Sequence, residues 1–276
     1  MAQSSTSDKI VKGVTAFGRT GKATVTGLID GISFIGFACI ILWQSLYLIA
    51  LGRRHAQPVR LRHIAAEIHT AGIQAIPVVL LMASTIGIML SIQGIYSLRV
   101  FGAETQVTFG LALSIPREFA PLITGILVAG RSGSQLTSRV GSMRLNGEID
   151  ALSVMGISPL RYVVAPSLVG LIVSLPILVA IANIAAFGAA GLYINIVLGI
   201  GPTAYWADVL SIVTLVDLMH SFGKAVIFSM LISLTGISIG MGVSGGAEVL
   251  GKATTSSVVT CISAIIAADA VFALVL

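Results

Sequence analysis

The amino-acid sequence predicts an all-α polytopic membrane protein: five transmembrane helices, an N-terminal re-entrant or interfacial helix, and a short cytoplasmic helix. Composition gives the class, because 56% of the 276 residues are hydrophobic, only 10% are charged, and the mean hydropathy is +1.01. A soluble chain carries about a quarter charged residues. Apolar runs of about 20 residues recur, each long enough to cross a hydrocarbon layer about 30 Å thick. The distribution of positive charge then sets the number of crossings.

Residues 1–27 read as a basic amphipathic segment holding Lys9, Lys12, Arg19 and Lys22, without the short apolar core of a secretory signal. The apolar segments that follow are 31–51, 73–98, 110–130, 162–197, 224–242 and 257–276. Arg53, Arg54, Arg60 and Arg62 follow the first of these, so 31–51 has positive charge on both flanks and cannot cross cleanly. It is expected to lie in, or re-enter, the inner leaflet, which leaves five spans. Thirteen of the 16 Lys and Arg residues then lie in the cytoplasm, Arg99 and Lys224 face outward, and Arg117 sits within a span. The N-terminus is cytoplasmic and the C-terminus external. Residues 198–223, with Asp208 and Asp217, form the main external connection, and the chain reads as a single domain, 1–276.

Between the second and third spans lies a polar island, 131–161, of about thirty residues. A plain connection between helices needs only a few residues. This one carries both charge signs and a helical stretch between Arg144 and Met155. Leu145, Ile149, Leu152 and Met155 recur there at helical spacing, opposite Glu148 and Asp150. An amphipathic helix at the membrane face offers a grip to a soluble partner.

Charges within spans are costly and mark candidate sites. Arg117 and Glu118, after Pro116, and Asp269 in the last span qualify. They either make structural hydrogen bonds, with Arg117 snorkelling to the interface, or line a polar cavity. Gly236-x-x-x-Gly240 and Gly242-x-x-x-Gly246 predict close helix approach. Cys39 and Cys261 lie in apolar segments and read as small buried hydrophobes.

Several apparent motifs carry no chemistry. Gly246 to Ala253 nearly spells a phosphate-binding loop, but alanine follows Lys252 where a hydroxyl would hold magnesium, so no ATPase is expected in this chain. Ser221-x-x-Lys224 lacks its companion motifs. His63, Glu67 and His69 read as a solvated basic face, and no metal or cofactor is expected. The net charge of +5 belongs to membrane flanks, which argues against a nucleic-acid partner.

The residues also resemble a known family. Gln93-Gly94, Phe101 to Glu104, Arg117-Glu118-Phe-Ala-Pro121, Ala129 to Ser134, Glu148-Ile-Asp150-Ala-Leu152, Met155-Gly156-Ile-Ser-Pro159, Gly245 to Glu248, Gly251 to Thr255 and Ala268-Asp269-Ala270 resemble the MlaE/YrbE permeases, in order from about residue 60 to the end. Pro116 departs from the usual pattern. The resemblance implies five spans plus a membrane-embedded N-terminal helix, and a permease subunit of an MCE-linked ABC transporter in the bacterial inner membrane. It implies transport of phospholipids or related hydrophobic molecules to or from a periplasmic MCE ring, with a contribution to outer-membrane lipid asymmetry. It also implies a homodimer or heterodimer of permeases, a cytoplasmic ATPase pair that binds the ATP, and a STAS-domain accessory. The stretch from Glu148 to Pro159 corresponds to the family's coupling helix, so Arg144, Glu148, Asp150, Leu152, Met155 and Gly156 are expected to couple to the ATPase.

For the substrate, an apolar cavity with a few polar contacts at head-group level is needed. Ser91 and Gln93 near the outer end of the second apolar segment, with Glu104, Arg117 and Glu118, are the expected lipid contacts, and Asp269 is a buried polar group. The rival expectation is a proton-driven secondary transporter with Asp269 or Glu118 as carrier. A simple membrane anchor would not need five spans with buried charges.

Overall fold

Within a bilayer every backbone N–H and C=O must be paired inside the chain, and runs of Leu, Ile, Val and Ala achieve this as helices. The computed structural model describes residues 61–275, all within the unit Ser45–Leu276, which is described here by itself. The expectations for 1–27, 31–51 and Cys39 lie outside the described residues. Seven helices make up the described part: α1 (Arg62–Arg99), α2 (Glu104–Leu145), α3 (Glu148–Val154), α4 (Tyr162–Leu198), α5 (Pro202–Ile212), α6 (Leu215–Met241) and α7 (Ala247–Leu274). Five of them (α1, α2, α4, α6 and α7) are long and apolar enough to cross a membrane, and the protein is an all-α polytopic membrane protein.

The core forms around α4, whose Leu168, Leu171, Leu175, Val179, Ala182 and Ala186 form a buried stripe three to four residues apart. Helix α1 lies against it with Val79, Ala83 and Gly87, and α6 packs against α4, α2 and α7. Gly236 and Gly240 of α6 face α2. A Cβ at Gly236 would meet the Gly133 carbonyl at 3.2 Å, and one at Gly240 would meet Val140 at 2.8 Å. Their close approach is thus to a neighbouring helix of the same chain, while Gly242 and Gly246 fall in the turn before α7. Outside the spans, α5 is fixed by Tyr205, whose hydroxyl donates to the Phe187 carbonyl at 3.0 Å. Burial pushes that phenol well above its usual range.

Two boundaries differ from the sequence expectation. The polar island is not a loop from Arg131 onward, because α2 continues to Leu145. At 1.5 Å per residue its 42 residues run roughly 60 Å, far beyond the hydrocarbon layer. Leu136, Thr137, Val140 and Gly141 supply a buried stripe that the surrounding Arg, Ser and Gln residues mask. The cytoplasmic helix is correspondingly shorter than Arg144 to Met155. Arg144 and Leu145 close α2, and Asn146-Gly147 turns the chain, with Gly147 at φ +72°, where a side chain would be strained. Likewise α6 begins at Leu215 instead of 224, which moves Asp217 out of the external connection and Lys224 from the outer edge of the segment to the interior of a span.

Four wide π-turns interrupt the spans, at Ile68–Gly72, Ile115–Phe119, Ala129–Gly133 and Leu160–Val164. Such turns are rare and concentrate at functional positions. Each lies beside a polar feature considered below.

Candidate functional site

Pro116 has no N–H, so the ordinary helical bond at that position cannot form, and the chain widens into the Ile115–Phe119 π-turn. A wider turn rotates less per residue, which lets the neighbouring side chains of Arg117 and Glu118 both reach α6. Arg117 Nε donates to Asp217 Oδ1 at 2.6 Å. Lys224 Nζ donates to Glu118 Oε1 and to Asp269 Oδ1, both at 2.8 Å, and lies 5.9 Å from the centre of the Phe272 ring. Three spans, α2, α6 and α7, therefore meet in two neighbouring ion-pair groups, joined through the adjacent residues Arg117 and Glu118, that together form a network of five charges.

Burial is graded across this network. Lys224 is fully buried and Asp217 nearly so, whereas the side chains of Arg117 and Glu118 remain 44% and 37% exposed. Asp217 is held further by the start of α6, where the Thr214 N–H and hydroxyl donate to its Oδ2 at 2.8 and 2.7 Å. A buried ion survives only when its partners satisfy it, and here each of the five has one. Two cations face three carboxylates, so the cluster carries a formal charge of −1. Asp217, Ser221 and Lys224 follow one another at helical spacing on the buried face of α6. Asn183 of α4 joins that stripe by donating to the Ser221 hydroxyl at 3.4 Å.

Of the expected lipid contacts, the structure brings Arg117 and Glu118 together, and with them Asp269. Ser91 is fully buried with its hydroxyl donating to the Gly87 carbonyl of its own helix at 2.8 Å, while Gln93 is exposed. Glu104 pairs with Arg99 at 3.4 Å across the turn between α1 and α2. These three stand apart from the network. Lys224, expected at the outer flank, is instead its centre, and Asp217 is its second anchor. The signal was present as their spacing with Ser221, but the short polar stretch hid the first turns of α6. Next to the π-turn, the apolar gap lined by Val79, Ile86, Ile115, Phe119, Ile123 and Ala182 holds about 10 Å³, too little for an acyl chain.

Beyond the end of α2, α3 turns Ile149 and Leu152 partly inward and leaves Glu148 and Asp150 exposed. Arg144 Nη1 donates to Asp150 Oδ1 at 2.7 Å, which braces α3 against the end of α2. Gly156, at φ +75°, ends the helix, with the Ile157 N–H returning to the Leu152 carbonyl at 2.9 Å. Met155 does not join the inward face. It is 64% exposed beside Val154 at 89%, so the tip of this helix presents apolar side chains that nothing in the described residues covers. Val154 escaped the periodicity because it falls outside the inward stripe. The near-phosphate-loop sequence is the first turns of α7, where Lys252 pairs with Glu248 at 2.6 Å. His63 stacks edge-on against Tyr162, with ring centroids 5.3 Å apart.

Known proteins are similar to this chain over most of its length. The family profile described as Permease MlaE matches residues 64–275. A probable ABC transporter permease of Synechocystis is 32% identical over 205 residues, covering 74% of this chain and 78% of the relative. The intermembrane phospholipid transport permease MlaE of Haemophilus influenzae is 31% identical, over 71% of this chain and 76% of its own. The chloroplast protein TRIGALACTOSYLDIACYLGLYCEROL 1 of Arabidopsis thaliana is 28% identical, over 83% of this chain and 64% of its own. With five membrane-crossing helices and a family match over nearly all described residues, this chain belongs to the MlaE permease family.

Proposed function

We propose that this chain is the transmembrane permease subunit of an ABC transporter that moves phospholipids, or related hydrophobic molecules, between the bacterial inner membrane and a periplasmic MCE protein. In that role it contributes to outer-membrane lipid asymmetry. The observation that carries the proposal is the network on α2, α6 and α7, in which the inner charges are locked and Arg117 and Glu118 are left half-exposed at membrane depth. Charges facing lipid there are costly. A second permease copy covers them, and the space between the copies admits the substrate, with the apolar walls meeting acyl chains and Arg117 and Glu118 meeting the head-group. Ser91, Gln93 and Glu104 are assigned to the outer wall of the same space. The gap beside the Ile115–Phe119 π-turn is itself too small for an acyl chain.

ATP is bound and hydrolysed by a separate cytoplasmic ATPase that grips α3. The exposed Val154 and Met155 supply apolar contact, Glu148 supplies charge, and Asp150 is held by Arg144. The permease itself is non-catalytic. Its N-terminus is cytoplasmic and its C-terminus periplasmic, and a STAS-domain accessory completes the inner side. Reversing the charge of Glu148 and Asp150 together is expected to abolish ATPase stimulation in the assembled complex while the permease still inserts. Unchanged stimulation would remove α3 as the docking element.

One observation favours the proton-driven alternative: two carboxylates, Glu118 and Asp269, share one lysine. That mechanism requires transport that follows a pH gradient with no ATPase present.

A further inference from the structure

Where α2 leaves the membrane, Arg139 joins three helices. One arm of its guanidinium binds the Glu67 carboxylate of α1, and Nη2 donates to the Ser167 hydroxyl of α4 at 2.7 Å. Ser167 is buried, and its own hydroxyl donates a hydrogen bond to the Val163 carbonyl at 2.8 Å. The planar fork of the guanidinium reaches the two partners from separate nitrogens, Nη1 to Glu67 and Nη2 to Ser167. On the other side of Arg139, less than two helical turns away, Arg144 ties α2 to α3 through Asp150. A continuous chain of charged contacts therefore runs from α3, through the end of α2, to the first and third spans.

The surroundings permit movement. Glu67 is followed at once by the Ile68–Gly72 π-turn, α4 opens with the Leu160–Val164 π-turn, and α2 carries another at Ala129–Gly133. All three helices joined by Arg139 thus have a widened turn near the clasp, where a small rotation can be absorbed. Beside the pair lies a pocket of about 20 Å³, lined by Thr70, Ser132, Gln135 and Leu171 as well as Glu67 and Arg139. The Ser132 hydroxyl faces burial there with no partner among the described residues. Its room is that of a water molecule.

We propose that Arg139 is a positioning residue for transport, carrying movement of α3 into α1 and α4 through Glu67 and Ser167. This rests on the transporter reading given above. Loss of the clasp uncouples the two ends: the ATPase still grips α3 and hydrolyses ATP, but the spans no longer follow.

The test uses the complete transporter complex in proteoliposomes, with ATP hydrolysis and transfer of fluorescent phospholipid measured on the same preparation. Arg139→Gln and Glu67→Gln are expected to keep hydrolysis within about twofold of the parent and to lower transfer by about tenfold, the range of a coupling contact. Arg139→Lys, which keeps the charge but replaces the fork with a single compact ammonium, falls between. The exchanged pair Glu67→Arg with Arg139→Glu restores transfer over either single reversal, which separates a contact from a folding defect. Hydrolysis and transfer falling in parallel, an exchanged pair no better than the singles, or transfer unaffected in Arg139→Gln would each overturn the clasp. A parent complex that transfers no lipid on addition of ATP would instead overturn the transporter reading itself.

Discussion

Lys224 has no aqueous alternative for its charge: it is fully enclosed, and Glu118 and Asp269 are its counter-ions. Lys224→Met leaves two carboxylates facing each other without their cation, and removing one member of a buried ionic group costs about 3–5 kcal/mol. Thermal unfolding in detergent is expected to show a large loss for that substitution, with much of it recovered when Glu118→Gln and Asp269→Asn are added. An unchanged midpoint in the single variant would contradict the burial. Arg117, Glu118 and Asp269 were legible from sequence because charge inside an apolar run is conspicuous. Lys224 and Asp217 were not, since Asp217, His220 and Lys224 together dilute the start of α6 until it looks like a connection. Arg139 was hidden differently: its partners lie 72 and 28 residues away, and no local pattern reports such a contact.

Among the elements, the number and order of the spans in the described residues followed from hydropathy, which acts over lengths of about 20 residues. The extension of α2 to Leu145 did not, because its buried stripe is made of small and polar residues such as Thr137 and Gly141. Thr137 Oγ1 lies 3.0 Å from the Gly236 carbonyl and 2.7 Å from the Ser257 hydroxyl, so this stripe joins α6 and α7 by hydrogen bonds as well as by packing. The glycines opposite it were legible as a close approach, though only the structure gives the neighbour. Gly240→Leu must displace Val140 and the α2 backbone, and overpacking of that kind costs about 1–3 kcal/mol. A lowered melting point with unaltered membrane insertion is the expected result. No change would mean that α2 and α6 are further apart than described.

Among the described residues, α3 follows the second span and α5 the third, so alternation of the five spans puts α3 and α5 on opposite faces. Cysteines placed at Asp208 of α5 and at Val154 of α3, both exposed, are expected to react with a membrane-impermeant maleimide from opposite sides of the membrane. Labelling of both from one side would break the five-span topology. Assembly tests the central claim most directly. Native mass spectrometry of the tagged protein, gently extracted from its host membrane, is predicted to show two permease copies with an ATPase pair, an MCE ring and bound phospholipid. Recovery of the permease alone and free of lipid, under conditions where known complexes survive, would contradict it.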